Sequence, residues 1–266
     1  MTKNTRMILS IFFMLFVAFW GSLSAEAQNN PQTITIAIED VPVPPWTFPD
    51  ATGLNIEMMK LVGQKLAFNI EWKKAPWKRC LEMLKKNEID GVASGSFKED
   101  RKEMGVYPMN DKGEVDPSRA MMMEGYTIYR LKGADLDYDG KAFKNLQGKI
   151  GAQMGYSVVD SLKKIGAQVD DGAKDPMALI TKLVETRVQG IVLQSLGADM
   201  LLKNKPDLAG KIEKCSVAFV EDKPYYLILS KEFCQKYPEF SQKIWNQIKE
   251  VRESPEYGAI VTNWGK

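Results

Sequence analysis

Residues 89–101 read IDGVASGSFKEDR, and this stretch decides how the chain is read. Positions 89–93 form a short apolar run of strand length. Ser94, Gly95 and Ser96 follow as a turn of small residues, and Glu99 stands three positions after Ser96, the spacing of a capping box. The pattern predicts a strand, a tight turn and a helix capped by Ser96. A helix that starts at the end of a strand aims unpaired backbone N–H groups into the crevice above the sheet, where an anion is welcome. Lys98 and Arg101 lie one turn apart and bring two cations to the same place. The stretch reads either as half of a site for a small anion, with Arg101 as its clamp, or as a surface helix with a solvated charged face.

The chain on either side alternates strand and helix. Residues 33–38 (TITIAI) alternate apolar and polar side chains as a strand does. Four prolines and Trp46 make 39–50 a rigid loop. Leu54, Met58, Leu61, Val62 and Leu66 recur at helical spacing over 53–67. A short strand is expected at 69–72, and Pro76 opens a helix over 77–86. A long β-like run occupies 119–131. The alternation then restarts, with strands at 149–153, 167–169 and 190–193 and helices at 156–165, 176–186 and 196–203. Strands at 217–219 and 225–230 and helices at 232–251 and 255–264 close the chain. Two α/β alternations separated by a strand-rich crossing predict two similar lobes rather than one sheet.

Composition narrows the function. Lys3 and Arg6, an apolar run to position 23 and Ala25-Glu26-Ala27 have the form of an export signal over residues 1–27, cut before Gln28. No later apolar run reaches the roughly 18 residues of a membrane span. A net charge of +2 gives no ground for nucleic acid or an anionic membrane as partner. The chain contains no histidine, which removes histidine-based nucleophilic triads and most catalytic zinc sites. An oxidising compartment permits a disulfide among Cys80, Cys215 and Cys234; Cys215–Cys234 closes the shortest loop, and three buried thiols are the alternative. Met121, Met122 and Met123 read as core or cleft lining rather than a soft-metal site. Asp135, Asp137, Asp139 and Gly140 start like a calcium loop, but Leu146 stands where its closing glutamate is required, so an acidic exposed loop is expected. Neither a metal nor a cofactor is implied.

Several strings, in order, resemble the bacterial periplasmic solute-binding proteins of family 3, the polar-amino-acid-type receptors of ABC importers. They are Pro45-Trp46 followed by Gly53-Leu54-Asn55-Ile56-Glu57, Trp77 thirteen residues before Asp90, the run from Ala93 to Arg101, Gln153-Met154-Gly155, and the close from Tyr257-Gly258-Ala259-Ile260 to Trp264-Gly265. The resemblance covers essentially everything after the export signal. It implies an α/β, two-lobe periplasmic-binding-protein fold of type II, with the ligand cleft between lobes joined by two β-crossings. Lobe one would be 31–124 with 224–266, and lobe two 125–223. It further implies a monomer in the periplasm, without catalysis, that carries a small-molecule solute to a permease.

In the family, the arginine matching Arg101 pairs bidentately with the ligand carboxylate, aided by backbone N–H groups near Ser94 and Ser96. Gly155, Tyr156 and Ser157 would reach the same anion from lobe two, with Trp77 stacking on the ligand and Trp46 lining the other wall. Three departures matter. Gln194 stands where amino-acid-binding members carry the aspartate that holds the α-ammonium, and an amide does not offset that charge. Lys98 and Tyr156 each replace a threonine. The resemblance therefore leads toward an acid without an α-amino group or a more anionic compound, while Glu39 and Asp40 leave room for a cationic end. Two alternatives on the same fold are a dehydratase of the cyclohexadienyl type, with Glu39, Asp40 or Glu221 as acid, and a protein that presents its ligand to a sensor.

Overall fold

In the computed structural model, which describes residues 30–264, nine of the strands pair into one curled sheet and the other two into a small hairpin. The expected export signal lies outside the described residues. β1 (Thr33–Glu39) runs parallel to β2 (Asn69–Ala75) and to β3 (Gly91–Ser96). The crossovers are α1 (Leu54–Leu66) and α2 (Trp77–Lys85), as parallel pairing requires. The chain leaves this half along β4 (Met122–Leu131), passes a small hairpin of β5 (Asp137–Tyr138) and β6 (Phe143–Lys144), and enters β7 (Ile150–Gln153). The second alternation is α3 (Val158–Lys164), β8 (Val169–Ala173), α4 (Pro176–Val184) and β9 (Gly190–Gln194), with β7 parallel to β8 and β9. Then come α5 (Ser195–Lys203), α6 (Pro206–Ala209), β10 (Ile212–Lys214) and β11 (Val220–Leu229), which returns to the first half. α7 (Lys231–Lys236), α8 (Pro238–Arg252) and α9 (Pro255–Asn263) complete the chain.

The strand order is β2-β1-β3-β11-β4-β9-β7-β8, with β10 paired to β4. The two alternations thus share one hydrogen-bonded sheet, a correction to the expectation of separate sheets. The reason lies in the crossings. β4 and β11 are themselves ten-residue strands, antiparallel to each other, and each pairs outward, β11 with β3 and β4 with β9.

Apolar burial follows the periodicities. Ile34, Ile36 and Ile38 of β1 meet Leu54, Met58, Met59 and Val62 of α1 and Phe240, Ile244 and Trp245 of α8 in the core of the first half. Tyr129, Leu179, Ile180, Leu183 and Ile191 form that of the second. The helix starts carry their expected signals. Asp175 accepts the Met177 N–H ahead of Pro176, Ser230 accepts that of Phe233, and Ser254 accepts that of Tyr257 ahead of Pro255. The expected helix over 232–251 is broken at Tyr237, because the residue before Pro238 is kept out of the α region (φ −130, ψ 59).

Other expectations are corrected. β3 extends through Ser96, which pairs with Tyr225 of β11, so Ser96 caps no helix. The expected helix is instead a five-residue 3-10 turn, Glu99–Glu103, preceded by Lys98 without a side-chain cap. No strand forms over 217–219, and the added pairing comes from β10. The acidic motif is a turn device, with Asp139 Oδ1 accepting the N–H groups of Lys141 and Ala142 at 2.9 Å between β5 and β6. All three cysteines are free thiols. Cys215 lies beside Leu136 in the second half, whereas Cys234 packs into the core of the first, so proximity in sequence does not bring the preferred pair together.

Candidate functional site

Between the two halves, under the β4–β11 crossing, lies a small cleft lined from both of them. β3 shapes one side of it. Ser94 takes a left-handed backbone (φ 65), and β11 shifts register opposite, between Tyr226 and Ile228. Such backbone is uncommon for a residue with a side chain and persists only where its surroundings hold it. Here the Ser94 hydroxyl accepts Asn55 Nδ2 at 2.7 Å. Gly95 next to it is packed so closely that a Cβ would come within 2.3 Å of Ile228 Cδ1. Ser94 and Ser96 both line the cleft.

Arg101, on the 3-10 turn, is 4% exposed. Nη1 donates to the Ser96 carbonyl at 2.8 Å and to its hydroxyl at 3.0 Å, and Nη2 reaches across to the Gly155 carbonyl at 3.2 Å. The guanidinium carbon sits 5.4 Å from the centre of the Trp77 ring. The acceptors that hold the guanidinium here, the Ser96 carbonyl and hydroxyl and the Gly155 carbonyl, are neutral oxygens. A buried charge that neutral groups solvate but do not offset is set up to receive an anion.

Tyr156 and Ser157 face this arginine from the second half, ahead of α3. Gly155, at φ 77, leaves its carbonyl open to Arg101, and a Cβ there would press Lys78 Cγ at 2.9 Å. The Ser157 hydroxyl accepts from Ser96 Oγ at 3.1 Å and from Lys223 Nζ at 2.7 Å. The Tyr156 hydroxyl donates to Glu39 Oε2 at 2.5 Å, and its ring meets Trp77 edge-on at 6.5 Å. Glu39 ends β1 and is 9% exposed. Burial, with a smaller contribution from Asp40, pushes its carboxyl up to about 7, against the lowering effects of Tyr156, Lys174 and Arg101.

The cleft thus gathers Arg101, Ser94, Ser96, Trp77, Tyr156, Ser157 and Gln194, with Glu39 and Met122, from among the residues singled out in the sequence. Trp77 belongs to the cleft and to the core at once. Four others lie elsewhere. Lys98 is drawn to the rim by Asp100 at 3.0 Å and by Asp160 across the cleft. Asp40 pairs with Lys174 at 2.8 Å. Gly155 contributes its carbonyl to Arg101. Trp46 turns its indole N–H to Glu124 Oε2 at 2.9 Å, while Glu124 Oε1 accepts the Leu196 N–H, so this tryptophan straps its loop to the start of α5. Its expected place in the wall is taken by Val43 and Thr47 of the same loop.

Sequence reasoning passed over Tyr126 and Tyr225, which line the cleft from the crossing strands beside Met122, expected as core or cleft lining, and Lys223 behind them. Only the length of the β-like run hinted at the first group.

A family model described as bacterial extracellular solute-binding proteins, family 3, matches residues 34–266, and the chain belongs to that family. No curated protein matches the chain by sequence. Among solved structures, it is similar to an ancestral arginine-binding protein bound to glutamine, at 21% identity and TM-score 0.69, covering 88% of this chain and 98% of that one. A histidine kinase sensor domain with similarity to periplasmic binding proteins gives 14% identity and TM-score 0.70, with 88% and 96% covered. An ancestral amino-acid-binding protein, a precursor of cyclohexadienyl dehydratase, gives 19% identity and TM-score 0.65, with 88% and 96% covered. These likenesses establish the two-lobe type II periplasmic-binding-protein fold.

Proposed function

We propose that this chain is an exported receptor that captures a small carboxylate-bearing solute between two lobes and delivers it, unchanged, to an ABC permease. The lobes are 31–124 with 224–266, and 125–223. The single observation that carries the reading is Arg101, buried in the cleft and, among the described residues, bonded to neutral oxygens drawn from both sides. A bidentate carboxylate offsets its charge and matches the planar fork of its donors. β4 and β11, the only strands that pass between the two halves of the sheet among the described residues, supply the hinge about which the lobes close. Bonds from Arg101 to Gly155, Ser96 to Ser157 and Tyr156 to Glu39 hold the closed form. Gln194 lines the cleft where an ammonium would call for a carboxylate, which favours an acid without an α-amino group.

A second reading draws on Glu39. A cleft carboxyl pushed up to about 7 has the proton affinity of a general acid at neutral pH, as a dehydratase of the cyclohexadienyl type would need. Incubation with prephenate or arogenate, monitored for product, separates the two. The receptor reading itself is tested by the mass of whatever small molecule leaves the native protein on denaturation. A small organic acid is expected; a compound lacking any acidic group contradicts it.

A further inference from the structure

Lys223 has no part in the reading above, yet its surroundings are unusual for a lysine. It sits on β11 opposite Glu124 of β4, and the Glu124 carboxylate is already spent on Trp46 and Leu196. The Lys223 ammonium instead lies over the rings of Tyr126 and Tyr225, 5.1 and 5.6 Å from their centres, and both rings line the cleft. Its one hydrogen-bond acceptor among the described residues is Ser157 Oγ, at 2.7 Å. An unbroken path runs from Lys223 Nζ to Ser157 Oγ at 2.7 Å, on to Ser96 Oγ at 3.1 Å, and from there to Arg101 Nη1 at 3.0 Å. Two cations therefore stand within one small molecule's length of each other, joined through two serine hydroxyls, and neither forms an ion pair among the described residues.

The donors along this path are directional. Ser96 accepts from Arg101 and donates to Ser157, whereas Ser157 accepts from both Ser96 and Lys223. The Ser157 proton is thus free to be offered to the cleft that Ser157 lines, polarised by the ammonium behind it.

We propose that Lys223, acting with Ser157, reads a second anionic group on the solute, so that the ligand carries two anionic groups and no ammonium. The inference rests on the carboxylate reading of Arg101 and extends it. Burial first, then Arg101 and Lys98, pull the Lys223 ammonium down to about 8, the effect of a desolvated cation beside other cations. A second anion relieves that repulsion, and an ammonium on the ligand aggravates it.

The test is calorimetric titration of the refolded, ligand-free protein with butyrate, succinate, L-aspartate and phosphoglycolate, in wild type and Lys223→Gln. Succinate or phosphoglycolate is expected to bind wild type at least about tenfold more tightly than butyrate and than L-aspartate, from one added charge-assisted hydrogen bond. Lys223→Gln is expected to erase that preference while leaving butyrate unchanged. Preference for phosphoglycolate over succinate upholds the proposal and identifies the second group as a phosphate; the reverse order identifies a carboxylate. Equal binding of butyrate and succinate by wild type overturns the proposal while leaving the Arg101 reading intact. Equal weakening of both acids by Lys223→Gln also overturns it. Binding of none of the acids overturns the carboxylate reading and this inference with it. An unchanged melting temperature of unliganded Lys223→Gln shows that the variant is folded.

Discussion

Replacing Glu39 by glutamine removes one titrating group from the cleft and keeps the shape and the acceptor for Tyr156. In the folded protein burial raises the Glu39 carboxyl from 4.5 to about 7. Between those values the folded chain holds a proton that the unfolded chain has released. The associated stability is fully present below the unfolded value and is lost as pH rises through the folded one. One pKa unit corresponds to about 1.36 kcal/mol, so the loss amounts to at most about 3 kcal/mol at this 9%-exposed site. Because the burial comes partly from Tyr156 across the cleft, opening of the cleft absorbs part of that loss. The assay is urea unfolding of wild type and Glu39→Gln at intervals from pH 4.5 to 8. All other carboxylates are common to both proteins and cancel in the difference. Relative to Glu39→Gln, wild type is expected to lose up to about 3 kcal/mol across this range, with the steepest change midway between 4.5 and about 7 and a levelling off above the folded value. Parallel pH profiles for the two proteins would refute the reasoning.

The remaining predictions concern the frame and the rim. Gly53→Ala places a Cβ 2.4 Å from the Trp46 carbonyl at a backbone φ of 121; urea unfolding should show a loss of about 2 kcal/mol or more, with altered tryptophan fluorescence. The three free thiols, each pushed up by burial, should resist a thiol reagent in the native protein and all react after denaturation, and reductant should leave the melting temperature unchanged. Lys98→Ala removes two exposed rim ion pairs, one of them to Asp160 across the cleft, so unfolding should show a cost of less than about 1 kcal/mol and calorimetry a change in ligand affinity of less than about tenfold.

Much of the fold and part of the site were visible in the residues alone, and the rest was hidden for identifiable causes. The strand–helix order followed from apolar periodicity, since Leu54, Met58, Leu61 and Val62 at helical spacing and Ile34, Ile36 and Ile38 at strand spacing enter the same core. Arg101, Trp77 and the Gly155–Ser157 turn were found through their strings. Ser96 was misread as a cap because Ser96 and Glu99 meet the local rule, while pairing of Ser96 with Tyr225, far along the chain, extends the strand. Local signals lose when a long-range ladder competes for the same backbone. Lys223 was hidden for the same reason, as was the bond that Tyr156 makes to Glu39, a residue singled out only for a cationic end or as an acid. Lys223 meets Ser157 across 66 residues, and Tyr156 meets Glu39 across 117, contacts that only the β4–β11 crossing creates. The Cys215–Cys234 expectation failed on the converse point. A short sequence interval spans β11 itself, which carries the chain from one half to the other.

The central claim is that Arg101 holds a carboxylate in the cleft, and its most direct test is titration of Arg101→Lys with the acid recovered from the native protein. Lysine keeps the charge and loses the planar fork. Wild type should bind, and Arg101→Lys should bind about a hundredfold more weakly or not at all, with its unliganded fold intact by circular dichroism. Equal affinity in the two proteins would contradict the account.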